Sequence, residues 1–213
     1  ARMYFLYSLL IFVFFLVVSP YFLYQAIRYK KYIGSLGQRL GYLPVSFNFD
    51  EDESIWITYN GEVYNFKELR TLLESKGHIF KSNTDTEVII HAYEEWGVEC
   101  LQRFNGMFAF GLWDEKKKIL FIARDRLGIK PLYYSTSNEQ LIFASEIKSI
   151  LQLPRIDREV DMDGLLSALY LLWVPTPETI FKNIYKLLPA HYLIYKNGEL
   201  NIHKYWEIPL SGG

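Results

Sequence analysis

Residues 106–125 read GMFAFGLWDEKKKILFIARD: two apolar, β-prone runs on either side of the charged break from Asp114 to Lys118. Such a run of charge cannot be buried, so the segment reads as two strands around a turn. Upstream, 66–77 (FKELRTLLESKG) places Leu69, Leu72 and Leu73 on one helical face and stops at Gly77. The stretch 85–97 (DTEVIIHAYEEWG) repeats the design and stops at Gly97. Further upstream, SIWITYN at 54–60 alternates as a strand ending in a turn. Downstream, LIFASEIKSIL at 141–151 passes from strand into a short helix. An apolar helix is expected over 161–173, and 191–206 closes as a hairpin around Asn197 and Gly198. Strands and helices alternate without an internal repeat, so periodicity alone gives α+β or α/β.

The chain has 213 residues, 23 Lys and Arg against 24 Asp and Glu, and a formal net charge of -1. That balance offers no basic field for nucleic acid, and none is expected as a partner. One cysteine, Cys100, excludes an internal disulfide and fits a reducing compartment. His78, His91, His191 and His203 show no metal-ligand spacing, so they read as surface or packing residues, and neither metal nor cofactor is expected.

Residues 3–18, MYFLYSLLIFVFFLVV, carry no charge, and apolar character resumes after Ser19 and Pro20. About 20 apolar residues cross the roughly 30 Å hydrocarbon layer, so 3–27 is expected to be a transmembrane anchor. Arg28, Lys30, Lys31 and Arg39 follow it while only Arg2 precedes it. The positive-inside rule then predicts a single-pass protein of the inner membrane with its soluble part facing the cytoplasm. The order of an aromatic span, YKKYIGSLGQRLGYLP (29–44) and SIWI (54–57) resembles the amino terminus of lipid A Kdo transferases. That resemblance covers residues 3–57 and excludes the glycosyltransferase segments, so no glycosyl transfer is expected.

A second resemblance is carried by NGEVYNFKELR (60–70), TDTEVIIHAYEEWG (84–97), FNGMFAFGLWD (104–114), ARDRLGIKPLYY (123–134), FASEIKSIL (143–151) and KYW (204–206). Their order resembles that of glutamine-hydrolysing asparagine synthetases over 58–208, the later two-thirds of the class II glutamine amidotransferase domain. The resemblance implies an α+β fold: a partial four-layer αββα sandwich of the amino-terminal nucleophile hydrolase type, here preceded by one transmembrane helix. The implied organisation is an anchor at 3–27, a basic juxtamembrane segment and linker or strand at 28–57, a truncated amidotransferase domain at 58–208, and a tail at 209–213. The terminal LSGG is similar to the start of the family's ATP-pyrophosphatase loop, without the residues that would bind ATP.

The same resemblance assigns Asn60 and Gly61 to the oxyanion hole, through a side-chain amide and a backbone N–H, and Glu62 and Asp85 to the substrate α-ammonium group. Read without it, Asn60-Gly61 is a two-residue hairpin turn, Glu62 a solvated strand residue and Asp85 a helix N-cap. Asn-Gly-Glu occurs again at 197–199, where a plain turn is the better reading. The family's nucleophile is a cysteine at residue one whose own α-amine, with a pKa of about 8, takes the thiol proton. Residue one is Ala1, and Cys100 lies between apolar neighbours where a thiol packs as a small apolar group.

The expectation is an asparagine-synthetase-like glutamine amidotransferase domain that is catalytically dead, in a chimeric or fragmentary chain. It would hold glutamine weakly, if at all, with a synthetase partner or a second copy of itself. The alternatives are a membrane-tethered, non-catalytic glutamine-binding or interaction module, and a glycosyltransferase remnant.

Overall fold

A computed structural model describes residues 55–137 and 140–209, which fall in one compact unit spanning 48–213. The hairpin at 106–125 forms its centre. Strand β2 (Gly106–Asp114) turns into β3 (Ile119–Arg124), and β1 (Ile55–Val63) pairs antiparallel with the other edge of β2, Ile55 facing Asp114 and Val63 facing Gly106. On the far side β3 pairs with β7 (His191–Lys196), which turns at Asn197-Gly198 into β8 (Glu199–Lys204). The five-stranded order is β1-β2-β3-β7-β8. Asn197 and Gly198 both have positive φ, +51° and +82°, as a twist-matched two-residue hairpin turn requires. A second sheet, ordered β5-β4-β6, is built from β4 (Tyr133–Ser137), β5 (Gln140–Ala144) and β6 (Tyr185–Lys186).

The period of two along each strand sorts side chains into layers. Phe108, Phe110 and Leu112 of β2 and Phe121 and Ala123 of β3 face helices α1 (Phe66–Ser75) and α2 (Asp85–Trp96), packing with Leu69, Leu73, Val88 and Ile89. The alternate positions, Ala109 of β2, Ile122 of β3 and Leu193 of β7, face the second sheet and meet Leu132, Tyr134 and Leu187. Phe143 of β5 seats over Gly111, where an added Cβ would lie 2.3 Å from the ring Cζ. Tyr133, Ile142 and Ala144 face outward from the second sheet onto Ile150, Ile156 and Ile184, beside the short helix α3 (Ile147–Ile150). The order is therefore helices, large sheet, small sheet and an outer helical layer. Each fully buried Phe or Leu contributes about 1.5–3 kcal/mol by leaving water.

Local chemistry positions the connections. Thr84 caps α2 by accepting the Glu87 amide at 3.4 Å, while the buried Glu87 carboxylate accepts the amides of Lys81 and Ser82 at 2.5 and 2.7 Å and so fixes the loop entering the helix. The ARDRLGIKP segment is a structural turn. Buried Asp125 accepts backbone N–H groups from Phe108, Leu127, Ile129 and Lys130 at 3.0–3.3 Å, and Arg124 donates to the carbonyls of Gly128, Lys130 and Leu187.

Two expectations change. The strand at 54–60 does not end in a turn at Asn60; it runs on to Val63 as β1 because β2 pairs with it along its whole length. On α1, Leu69 and Leu73, four apart, are buried, whereas Leu72 is 39% exposed, its face turned from the sheet. The apolar helix α4 (Met162–Leu171) is capped by Asp161 and leaves Leu166, Leu169 and Tyr170 exposed, as is Trp173 just beyond its end. No helix among the described residues is long and apolar enough to cross a membrane. The anchor expected at 3–27, and residues 28–54 with their resemblance to Kdo transferases, lie outside the described residues.

Candidate active site

Three of the four residues assigned from the sequence sit in succession on β1, and the fourth opens α2. Because side chains alternate along β1, Tyr59 packs toward the helices while Asn60 and Glu62 lie on the opposite face. The Asn60 amide donates to the Ser145 hydroxyl at 3.1 Å, just beyond β5, and so links the two sheets at this point. A primary amide carries two N–H donors. Ser145 therefore fixes the direction of the amide while leaving a second donor for a ligand oxygen.

Gly61 follows in the strand with φ +152°, a conformation that residues with a side chain rarely adopt, and an added Cβ would lie 2.2 Å from the Met107 carbonyl oxygen and 2.6 Å from Phe108 Cα. Only glycine allows β1 to lie this close to β2 here. The Asn-Gly pair at 60–61 is thus a strand element, paired opposite Ala109 and Phe108, whereas the pair at 197–198 is a turn. The two identical dipeptides separate by context.

Asp85 reaches β1 from the first turn of α2. Its Oδ2 accepts the Tyr59 hydroxyl at 2.7 Å and the Val63 amide at 3.0 Å, and the Glu62 side chain, one residue earlier, is exposed. The Tyr59 hydroxyl is pushed well above the ordinary phenol range, first by burial, then by its hydrogen bond to Asp85 and by the negative charges of Asp85 and Glu62. It stays a neutral donor to the carboxylate at any physiological pH. The structure therefore places Asp85 at the end of β1 through Tyr59 and Val63, while Asn60 and Glu62 lie on the other face of the strand, the Asn60 amide directed toward the second sheet.

Tyr59 and Ser145 were not named as site residues from the sequence. Ser145 lies inside FASEIKSIL and Tyr59 immediately before the NGE triplet, so nearness to these motifs is the available signal. Cys100 is wholly buried in the helix-facing core, and burial, followed by the charge of Glu99, pushes its thiol strongly upward. A thiol so placed is neutral and shielded, the opposite of a nucleophile's surroundings. His191 packs with Nδ1 2.7 Å from the Pro189 carbonyl, and His203 stacks on Tyr192 with ring centroids 5.1 Å apart. His78 and His91, thirteen positions apart in sequence, come into contact.

The sequence profile of the glutamine amidotransferase domain family matches residues 41–206. Among curated relatives, an asparagine synthetase (glutamine-hydrolysing) 3 of Bacillus subtilis is 44% identical over 169 residues, covering 79% of this chain and 27% of the relative. A putative asparagine synthetase (glutamine-hydrolysing) 2 of Methanocaldococcus jannaschii is 38% identical over 184 residues, covering 79% of this chain and 35% of the relative. The chain thus spans between a quarter and about a third of the length of these relatives. In fold, it is similar to glutamine phosphoribosylpyrophosphate amidotransferase from B. subtilis, with a TM-score of 0.52 at 20% identity over 77% of this chain and 31% of that one. The fold is a mixed α/β one shared with that amidotransferase.

Proposed function

The chain belongs to the glutamine amidotransferase domain family, and we propose that it recognises glutamine as part of an asparagine-synthetase-like protein without itself cleaving the amide. Glu62 and Asp85 receive the α-ammonium group, and Asn60 and the Gly61 N–H address the oxygen of the side-chain amide. The observation that carries this reading is the Asp85 carboxylate, clamped by Tyr59 and the Val63 amide beside exposed Glu62. A carboxylate held in place at a strand end, with a second one carried by that strand, suits a small zwitterion whose cationic end must be oriented. Donors aimed at a developing oxyanion are worth roughly 3 kcal/mol each. With Cys100 the only thiol of these residues and buried, those donors alone leave the rate about a millionfold short.

The chain's single thiol is in the core, so hydrolysis would require a thiol supplied from outside these 213 residues. Ammonia release from glutamine by the purified chain, measured beside Cys100→Ala, tests this: both are expected at the buffer background. Release that Cys100→Ala abolishes would overturn the non-cleaving assignment.

Transfer of nitrogen to form asparagine belongs, in this reading, to a synthetase partner. The exposed apolar side chains of α4, Leu166, Leu169 and Tyr170, support a docking role for that helix. Residues 3–27 are proposed to hold the domain at the inner face of the cytoplasmic membrane, on their uncharged sequence alone. Resistance of the full chain to alkaline extraction from membranes is the expected result, and complete release would remove the anchor.

A further inference from the structure

We infer that His78, His91 and Glu94 form a binding site for a divalent ion of the zinc class, on the far part of α2 from the glutamine site and sharing no residue with it. His78 comes from the loop after α1, and His91 and Glu94 lie three apart on α2. His78 Nδ1 is 3.3 Å from His91 Nδ1 and 3.7 Å from Glu94 Oε2, and His91 Nδ1 is 2.6 Å from Glu94 Oε2. Ligand bonds of 2.0–2.2 Å in a tetrahedral arrangement put donor atoms about 3.4 Å apart, and the three observed separations bracket that value. Two imidazoles and one carboxylate suit zinc, cobalt or nickel rather than magnesium or calcium, which prefer all-oxygen shells.

The surrounding groups fix which ring nitrogens can serve as ligands. His78 Nε2 is 3.2 Å from Glu95 Oε2, and a carboxylate only accepts, so the ring proton sits on Nε2 and Nδ1 offers its lone pair to the cluster. Glu95 is itself paired with Lys76 at 2.6 Å. His91 is nearly fully buried and packed edge-on against Phe80 at 4.6 Å between centroids. His91 Nδ1 meets Glu94, and its Nε2 faces the Glu87 carboxylate at 3.8 Å, a buried nitrogen with no hydrogen-bond partner. With an ion on Nδ1 the ring carries its N–H at Nε2, and that donor then faces Glu87. Glu94 is exposed, which leaves an entry path and room for a water as fourth ligand. The ion would tie the 76–81 loop to α2, a stabilising role by linkage rather than a catalytic one.

The test uses the full chain without a polyhistidine tag, stripped by chelator and titrated with Co²⁺ and Zn²⁺ at micromolar concentrations. One equivalent of Co²⁺ with visible ligand-field absorption, displaced by Zn²⁺, is expected, with a melting temperature that rises on adding Zn²⁺ and falls back with chelator. Glu94→Ala and His78→Asn, both outside the buried core, are expected to abolish binding while melting like the metal-free parent. Glu95→Gln is expected to weaken binding by about 10- to 100-fold, as loss of a residue that orients a ligand does. His203→Asn is expected to bind like the parent. Absence of one-to-one binding at micromolar Zn²⁺, binding that survives both Glu94→Ala and His78→Asn, or imidazole resonances that respond to pH but not to Zn²⁺, would each overturn the assignment.

Discussion

The Tyr59 hydroxyl donates to Asp85 Oδ2 across 2.7 Å, joining the middle of the first strand to the first turn of the second helix. The bond joins fold and candidate site, because the Val63 amide shares the same oxygen. Tyr59→Phe removes one donor from a partly buried carboxylate and is expected to cost about 1–3 kcal/mol, read as a lower urea midpoint with unchanged slope.

Alkaline pH should destabilise the domain. Tyr59, Tyr93 and Tyr205 are all held above the ordinary phenol value, each first by burial, with hydrogen bonds from Tyr59 to Asp85 and from Tyr93 to Asp114 adding to the shift. A folded-state value above the unfolded one means the stabilisation is fully present below the unfolded value of about 10 and is lost as pH climbs above it. Equilibrium unfolding followed from neutral pH upward is expected to stay level until near that point and then decline. Tyr93→Phe should flatten the decline.

Asp125 is the organising residue of the turn after β3. Asp125→Ala orphans the backbone donors of Phe108, Leu127, Ile129 and Lys130. The expected loss is about 3 kcal/mol or more, measured by chemical denaturation. Asp125→Asn, which keeps the shape but loses the charge and one acceptor, should fall between the two.

Gly111 and Phe143 form the contact point of the two sheets. Gly111→Ala drives a methyl group into the Phe143 ring and is expected to cost about 1–3 kcal/mol by overpacking. Adding Phe143→Leu should recover part of that loss, and a double-mutant cycle with no coupling would show that the sheets adjust independently.

Much of this architecture was legible in the chain because strong local signals agreed with the tertiary outcome. The charged break at 114–118 and the Asn197-Gly198 turn fall where the sequence puts them, and both sheet-facing helices begin and end at their expected residues within normal fraying. Asn60-Gly61 shows the limit. The dipeptide that makes one hairpin lies flat in a strand at the other site, because pairing with β2 along nine residues outweighs a local turn preference. The strand β6, two residues long, has no periodicity to detect. Tyr59 and Ser145 acquire roles only through partners distant in sequence, as do His78 and His91, whose spacing matches no ligand pattern until a loop folds back over α2.

The central claim is that Asp85 binds the ammonium end of glutamine through its charge. Asp85→Asn separates charge from structure, since an amide oxygen can still accept from Tyr59 and Val63. Calorimetric titration of L-glutamine into the full chain and into Asp85→Asn measures the difference directly. The account predicts saturable binding at or below millimolar glutamine for the parent, about −4 kcal/mol or stronger, and a loss of about 10- to 100-fold in the variant, the ~1.5–3 kcal/mol of a charged hydrogen bond. Equal affinity in the two proteins, or no saturable heat from the parent, would contradict it.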